Sequence, residues 1–325
     1  MDKHPAVLLM AYGSPNSLDE VGEYLRQVRG GRLPAAEEVE RLKDRYRQVG
    51  GQTPLLKITL AQAKALEERL RSERLGSRVY VGMKHWHPFI EDVVEKIVSD
   101  GAPSIIGLAL APHYSKLSIG GYSDSVKRGV ARTGRSVPFT MVESWHDQQS
   151  LISALSRRVL NGLQNFDEPS RTVVLFTAHS LPKKFVREDD PYWRQLQETS
   201  HLVAGESGIK SWDFAFQSAG HPIESWMGPS IREKITELSG KGFRELLVCP
   251  VGFVSDHLEI LYDLDIDARG YAWSLGVRLE RTVSLNDDPE FINAISSKLK
   301  PLLLRDYNRL SSESSFLYAN ALANL

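Results

Sequence analysis

The chain has 325 residues, of which 42% are hydrophobic and 25% are charged, and its 40 Lys and Arg nearly balance its 41 Asp and Glu. This composition is typical of a soluble globular protein of about two domains, and the formal charge of -1 argues against a protein that binds nucleic acid. The single cysteine, Cys249, excludes an internal disulfide, a zinc site built only of cysteines and an iron–sulfur cluster, and it favours a reducing, cytoplasmic compartment.

The apolar stretches of the sequence are short. Ala6–Ala11 is shorter than the core of a secretory signal peptide, which takes about 7–15 apolar residues before a cleavage site. Ile105–Ala111 and Leu246–Val251 fall far below the roughly 20 residues that a membrane-spanning helix requires. We therefore expect a protein without a signal peptide and without an integral membrane segment.

Short apolar runs, bounded by Gly, Pro or polar residues, recur along the whole chain. Most are continuous rather than alternating, as is typical of strands that are buried on both faces of a parallel sheet. The pattern predicts strands at Ala6–Ala11, Val79–Met83, Ile105–Ala111, Phe139–Val142, Val173–Thr177, Phe214–Gln217, Leu246–Val251 and Val277–Val283.

Helical patterns lie between these runs, and strands that alternate with helices indicate βαβ units. Thr53 is the predicted N-cap of one helix, and Pro54 is its predicted first residue. The stripe of this helix that would face the core comprises Leu56, Leu60, Ala63, Leu66 and Leu70. Further helices are predicted at Phe89–Val98, 150–163 and 288–304.

Two segments of the sequence have weak counterparts later in the chain. Val7–Tyr12 is similar to Val174–His179, and Ala109–Pro112 is similar to Leu247–Pro250. In each pair, one segment belongs to the first half of the chain and the other to the second half. The repeat therefore predicts two similar doubly wound α/β halves.

We predict an α/β fold of two similar Rossmann-like domains. The first takes residues 1–145 and the second takes residues 146–287, and the terminal segment, 288–325, is predicted to pack back on the first domain. In open α/β sheets, ligands bind outside the carboxyl ends of the strands. The side chains that follow each strand are therefore the candidates for function.

Imidazole groups collect at the ends of the predicted strands. Five of the nine histidines follow a strand: His85, His87, His113, His179 and His257. The sequence has no Walker loop, no G-x-G-x-x-G after a strand and no G-x-S-x-G nucleophile elbow. This pattern favours chemistry by imidazole and carboxylate over a phosphate site or an esterase-type hydrolase.

Three carboxylates recur at steps of four residues, at Glu259, Asp263 and Asp267. On one α-helix they would share a face and repel one another, and a divalent cation would relieve that repulsion. A solvated acidic face or a loop is the alternative that the spacing leaves open. If Glu259 faces His179 across a cleft, the two form a site for a divalent metal or for proton transfer; otherwise His179 is a hydrogen-bonded core residue.

Ordered motifs run through almost the whole chain. They are Leu42–Tyr46, Gly50–Leu55, Gly82–His85, Pro88–Asp92, Leu110–His113, Val142–Trp145, Ala178–Pro182 and Pro250–Glu259. Through these motifs the sequence resembles the ferrochelatases, in particular the soluble bacterial type that acts on coproporphyrin III. The resemblance implies two four-stranded Rossmann-like domains with a cleft between them, and insertion of Fe(II) into a porphyrin.

The resemblance also implies roles for individual residues. His179 and Glu259 match the pair that handles the metal and the pyrrole protons, and Asp263 and Asp267 match an acidic path that leads outward, a candidate second metal site. Tyr12 matches the tyrosine on the opposite side of the macrocycle, which can ligate iron in the product. The positions that match contacts to the porphyrin and its propionates are Tyr12, Arg29, Arg45, Tyr46, Thr53 and Tyr122.

The sequence departs from the family pattern at several positions. Gly30 stands where some relatives carry a second arginine, Asp267 is shorter than the glutamate often found there, and Thr53 replaces a common serine. The tail 311–325 extends past the resemblance and has no assigned role. A planar macrocycle also needs apolar and aromatic cover, for which the candidates are Met10, Tyr122 and Trp226.

These observations predict a cytoplasmic coproporphyrin III ferrochelatase of the lyase class, active in haem biosynthesis. The expected partners are coproporphyrin III and Fe(II), together with an iron-donor protein as a candidate. The expected cofactors are none beyond the substrate iron, with a second divalent cation at the outer acidic site as an open alternative. Rival interpretations are a protoporphyrin IX ferrochelatase, a cobalt chelatase of another tetrapyrrole, a non-catalytic haem carrier and a two-lobed solute-binding protein.

Overall fold

A computed structural model of the chain describes residues 4–219 and 225–323, and in the last helix it describes side chains up to 310 and at 312. The strands form two separate four-stranded sheets. Their bounds are β1 (Ala6–Ala11), β2 (Val79–Met83), β3 (Ile105–Ala109), β4 (Phe139–Val142), β5 (Val173–His179), β6 (Trp212–Gln217), β7 (Glu245–Cys249) and β8 (Arg278–Arg281).

Helices alternate with these strands. They are α1 (Val21–Val28), α2 (Ala36–Gln48), α3 (Leu55–Ser72), α4 (Ile90–Ser99), α5 (Gly121–Arg132), α6 (Gln149–Leu163), α7 (Tyr192–Ser207), α8 (Ile231–Gly240), α9 (Leu258–Leu261), α10 (Arg269–Ser274) and α11 (Pro289–Ala323). Two π-helical turns, Lys116–Gly120 and Asp263–Ala268, directly precede α5 and α10. The eight predicted strands are confirmed, with ends that differ from the predicted ones by two residues at most.

Both sheets are entirely parallel and have the same topology. Their strand orders are β2-β1-β3-β4 and β6-β5-β7-β8, so β1 and β5 hold equivalent central positions. The repeated sequence segments noted above belong to β1 and β5 and to β3 and β7. Tyr12, the residue after β1, and His179, the last residue of β5, therefore stand at equivalent sheet edges.

Apolar packing joins the two sheets through a shared core. One cluster combines residues from both central strands, such as Leu9 and Phe176, with residues of α6 and α11, such as Leu155 and Phe291. Two further clusters cover the outer faces of the two sheets. Cys249 is fully buried in the shared core, where burial raises the pKa of its thiol to about 12.

The start of α3 differs from the prediction. The helix begins at Leu55 with Pro54 in the N-cap position, and no side chain caps it. The Thr53 hydroxyl instead hydrogen-bonds the Ser14 hydroxyl at 2.8 Å, so the predicted N-cap is wrong. The sequence pattern predicts that Leu60 faces the core, but in the structure this residue is 51% exposed. The buried face of α3 comprises Leu55, Thr59, Gln62, Ala63, Leu66 and Leu70.

Helix α11 lies against both halves of the molecule. Asp288, the residue before α11, pairs with Arg158 of α6, and their charged atoms are 2.7 Å apart. Further along, Lys300 pairs with Glu73 just after α3 at 3.2 Å, and Ser104 donates a hydrogen bond to Asp306. The domain limits at 145 and 287 stay predictions, and residues 324 and 325 of the predicted tail lie outside the described residues.

Candidate metal and porphyrin site

The central feature of the site is an imidazole–carboxylate pair. His179 ends β5, and Glu259 lies in α9, eighty residues further along the chain. The His179 Nε2 and Glu259 Oε1 atoms are 3.4 Å apart, and each side chain is about one-third exposed, at 33% and 32%. The Nδ1–H of His179 donates to the Ser180 carbonyl, which can only accept, so Nε2 is the atom that faces the carboxylate.

The two groups stabilise each other's charge. Burial opposes the imidazolium, but the Glu259 carboxylate and the Ser180 carbonyl outweigh it and raise the pKa of His179 to about 9. Burial also opposes the Glu259 carboxylate, but His179 and His257 hold its pKa well below its usual range. The His179 pairing therefore stabilises the folded protein below about pH 6.5, and this contribution is lost as the pH rises through about 9.

Buried polar groups hold both members of the pair from behind. The Gln217 amide, at the end of β6, donates to the Glu259 carbonyl at 2.8 Å and accepts from the Thr177 hydroxyl at 2.7 Å. The Tyr192 hydroxyl donates to the His179 carbonyl at 3.0 Å. Gly252 passes so close to β5 that an added Cβ would lie 2.5 Å from the Ala178 Cβ. Close packing and hydrogen bonds thus fix the backbone on both sides of the pair.

The acidic segment departs from the predicted single helix. After α9 the backbone enters the π-helical turn Asp263–Ala268, whose wider winding breaks the four-residue register. Asp263 stays close to the pair, since the charge of Glu259 contributes to its pKa, whereas Asp267 forms a bidentate ion pair with Arg232 at 3.2 and 2.5 Å. An α-helical face with three carboxylates is therefore wrong, and the outer metal site stays a prediction.

Asp263 is a buried carboxyl group with mixed surroundings. Its side chain is 12% exposed, it accepts a hydrogen bond from the Ser218 hydroxyl, and the Arg45 guanidinium lies 3.6 Å away. Burial and the Glu259 carboxylate raise the pKa of Asp263 to about 6, against the opposing effects of Ser218 and Arg45. The group therefore gains or loses a proton close to neutral pH.

Two tyrosines of the first half were predicted to bind the porphyrin, Tyr12 directly after β1 and Tyr46 in α2. Tyr12 is 44% exposed, and its ring lies 4.5 Å from that of His85. The surrounding protein displaces water from the phenol, and this desolvation raises the pKa of Tyr12 above its ordinary range. The negative charge of Glu259 raises it further. Tyr46 is buried and hydrogen-bonded to the Ser14 hydroxyl at 2.9 Å. Arg45, which precedes Tyr46 in α2, lies 3.6 Å from Asp263, so α2 contacts the acidic segment that follows Glu259.

The two arginines predicted for propionates already have acidic partners. Arg29 is ion-paired with Glu38 at the start of α2. Arg45 lies near Asp263 and stacks on the Tyr262 ring, whose centroid is 5.0 Å from its guanidinium carbon. Their contacts to a porphyrin stay predictions.

The candidates for covering a macrocycle have different surroundings. Met10 is fully buried in β1, within the core on the outer face of the first sheet, so it cannot cover a ligand in the cleft. Tyr122 is 5% exposed, with the Lys84 ammonium 5.1 Å from its ring centroid. Trp226 is half-buried, and its ring lies 6.5 Å from that of His179. Trp226 is therefore a candidate that lies beside the imidazole–carboxylate pair.

Sequence reasoning assigned no role to several residues that the structure brings to the site. His257 places Nε2 3.6 Å from Glu259 Oε2. Ser14 joins the side chains of Tyr46 and Thr53, and Ser218 holds Asp263. His257 was accessible from sequence, because it lies two residues before Glu259, directly before α9, whereas a lone serine gives no such signal.

The site is open rather than a closed metal centre. Among the residues that the structure describes, no three His, Cys, Asp or Glu side chains are grouped so as to hold a metal ion. A closed four-ligand site retains its metal, whereas a pair with open positions can release one. Within the same described ranges, no helix combines the length and apolar character needed to cross a bilayer.

The sequence is similar to proteins of one known family. The family model described as Ferrochelatase matches residues 4–301. A protein of Herpetosiphon aurantiacus named ferrochelatase is 44% identical over 300 residues, covering 91% of this chain and 98% of the relative. A protein of Geobacillus kaustophilus named coproporphyrin III ferrochelatase is 39% identical, covering 91% and 95%.

Solved structures share this fold, among them SirB, which is named a sirohydrochlorin chelatase. SirB of Bacillus subtilis, determined with Fe3+, superposes with a TM-score of 0.58, covering 94% of this chain and 98% of that one at 14% identity. CbiX, described as the terminal enzyme of sirohaem biosynthesis in denitrifying bacteria, gives a TM-score of 0.50 at 12% identity, covering 91% and 98%. At these identities the likeness shows the fold alone, and it confirms the predicted chelatase-like arrangement of two α/β domains.

The electrostatics of the pair can be measured directly. We expect His179 to titrate with a pKa of about 9 in the unliganded protein, and E259Q to bring this value down toward the ordinary 6.5, because burial then acts with less opposition. The measurement is an NMR titration of the imidazole nitrogens. His113, whose pKa burial lowers to about 3, serves as an internal reference that stays neutral between pH 5 and 10. A His179 pKa that stays near 9 in E259Q would assign the shift to Ser180 instead.

Proposed function

The chain belongs to the ferrochelatase family and is a metal chelatase of the lyase class, and we propose that it inserts Fe(II) into coproporphyrin III. Names of relatives do not decide between porphyrins, because some are called coproporphyrin III ferrochelatase and others only ferrochelatase. The observation that carries the proposal is the His179–Glu259 pair at the carboxyl end of β5, with Arg45 of α2 reaching Asp263 beside it at 3.6 Å.

In the unliganded protein, His179 of the His179–Glu259 pair is already protonated, and it must lose this proton before it can act. Insertion removes two protons from pyrrole nitrogens and replaces water on Fe(II). At neutral pH His179 is an imidazolium, which can neither accept a pyrrole proton nor bind a metal through Nε2. An approaching divalent cation lowers the pKa of a neighbouring group. We therefore propose that His179 releases its proton to solvent by way of Asp263 when iron arrives, with Glu259 balancing the charge.

Asp263 is suited to carry protons away from the pair. Its pKa of about 6 lies close to neutral pH, where a group accepts and releases protons most readily. It lies near Glu259 and is linked to the surface through Arg45, which is about half exposed. We propose that the pyrrole protons leave the cleft past Asp263.

We propose that Tyr12 faces the opposite side of the macrocycle from His179. Its raised pKa keeps the phenol protonated in the unliganded protein. Iron held in the porphyrin ring would compete with that proton for the phenolic oxygen, so Tyr12 becomes an axial ligand only in the product. This order would hold the product iron without competing for free Fe(II) beforehand.

Arg29 and Arg45 are proposed to receive propionates. A carboxylate of the substrate can replace Glu38 or Asp263 at the same guanidinium group, because Arg presents a planar fork that matches any carboxylate. Tyr46 and Thr53 join them on the same side of the cleft through Ser14. A cytoplasmic location, an iron-donor protein and a second divalent cation stay predictions from the sequence.

The choice of porphyrin is tested with purified protein. We expect kcat/KM with Fe(II) to be at least about tenfold higher for coproporphyrin III than for protoporphyrin IX, since two additional propionates need supply only roughly 1.4 kcal/mol. Anaerobic absorbance spectra follow the loss of each free-base porphyrin, and a protein-free sample gives the uncatalysed rate. Equal turnover of both porphyrins, or a preference for protoporphyrin IX, contradicts the proposed substrate.

The role of the pair is tested by H179A and E259Q. Each variant is expected to lower kcat at least about 100-fold while coproporphyrin III still binds, because proton transfer by a positioned group contributes about 10²–10⁴-fold. Porphyrin fluorescence measures binding, and absorbance measures insertion.

The matched control is E198Q. Glu198 Oε2 lies 3.0 Å from His146 Nε2, so this variant disrupts a second imidazole–carboxylate pair away from the cleft. It is expected to keep full insertion activity. Full activity in H179A and E259Q would refute the proposed roles, and porphyrin binding without insertion by the unmodified protein would favour a carrier.

A further inference from the structure

A buried arginine bridges two points of the segment that carries Glu259. Arg281 ends β8, and its side chain is only 14% exposed. Its Nε and Nη2 atoms donate to both oxygens of Asp265, at 2.7 and 3.0 Å. The same Nη2 atom lies 3.1 Å from Asp256 Oδ1. One guanidinium therefore binds a carboxylate before Glu259 in the chain and another after it.

The two carboxylates that Arg281 binds are themselves anchored. Asp256 also accepts hydrogen bonds from the Ser284 hydroxyl at 2.7 Å and from the Asn286 amide at 3.0 Å. The backbone N–H of Asp256 donates to Asn286 Oδ1 at 2.9 Å. Asp265 belongs to the π-helical turn, two residues after Asp263. The network thus fixes both ends of the segment 256–265 against the edge of the second sheet.

We infer that Arg281 is a positioning residue for Glu259, because its bonds to Asp256 and Asp265 fix the segment that carries this carboxylate beside His179. The inference rests on the proposed role of Glu259 in iron insertion. The bonds that define the bridge go to Asp256 and Asp265, neither of which has an assigned role in the metal path. Arg281 would therefore act on the reaction through the placement of Glu259.

The geometry of the pair makes it sensitive to such placement. At 3.4 Å, the separation of His179 Nε2 and Glu259 Oε1 is already at the outer limit of a hydrogen bond. Gln217 holds the Glu259 carbonyl from the sheet, and Arg281 fixes the two ends of the segment that carries the carboxylate. A displacement of about 1 Å in a catalytic group can cost up to about 10²-fold in rate.

The test is a double-mutant cycle between Arg281 and Glu259. R281M, E259Q and the double variant are assayed for Fe(II) insertion into coproporphyrin III under single-turnover conditions, so that slow variants stay measurable, with porphyrin affinity measured by fluorescence. R281M is expected to lower the insertion rate at least about tenfold and to change the porphyrin Kd by less than about twofold. In the E259Q background, R281M is expected to cost less than about twofold more.

Two further variants separate positioning from general stability. R158M breaks the Arg158–Asp288 pair, which has similar burial at 23% and 28% exposure, and it is expected to keep the wild-type rate. R281K keeps the charge but lacks the planar fork, and its rate is expected to lie between those of R281M and wild type. R281K enters the same cycle if R281M does not fold.

The outcomes distinguish the inference from the function on which it rests. An unchanged rate in both Arg281 variants overturns the positioning role, and so does an equal loss in the presence and absence of Glu259. A rate loss in R158M that matches the loss in R281M overturns it as well. Full activity in E259Q alone would instead refute the proposed role of Glu259.

Discussion

The 3.4 Å approach of the His179 imidazole to the Glu259 carboxylate is the interaction on which the rest of the site depends. Burial disfavours the ionised form of each group, and the charge of the partner outweighs that effect. Together they form an ion pair at neutral pH, with a protonated imidazolium at His179 and a carboxylate at Glu259. Such a pair is stable without a metal, and under the proposed function two protein groups would leave coordination positions open for an ion that is passed on.

The duplicated fold places Tyr12 and the His179–Glu259 pair at equivalent ends of two similar sheets. Two sheets of identical strand order place the carboxyl ends of β1 and β5 at equivalent positions, and Tyr12 and His179 follow from these ends. A shared apolar core, which includes residues of α6 and α11, joins the two sheets. The cleft is therefore a consequence of the duplicated α/β unit, and its chemistry comes from the different residues that each copy presents.

Much of the fold could be predicted from the sequence, because strands buried on both faces leave continuous apolar runs. Side-chain contacts between distant elements could not. The four-residue spacing of acids fits an α-helix, but the π-helical turn after α9 changes the register, and Arg232 on α8 takes Asp267 as its partner. Thr53 similarly bonds to Ser14 instead of capping α3, since the loop after β1 lies within reach.

The candidate site was accessible from the sequence only in part. Eighty residues separate His179 from Glu259, so their proximity followed from the family resemblance and not from spacing. The residues that hold them, such as Gln217 and Arg281, carry no motif of their own. Their function depends on where the sheet ends and the connecting loop turns, and these features exist only in three dimensions.

A crystal structure of the complex with coproporphyrin III tests the central claim most directly. The account predicts that the ring centre lies between the Tyr12 hydroxyl and the His179–Glu259 pair, with propionates at Arg29 and Arg45. A porphyrin bound with its centre away from His179, or with Tyr12 and His179 on the same face of the ring, would contradict it.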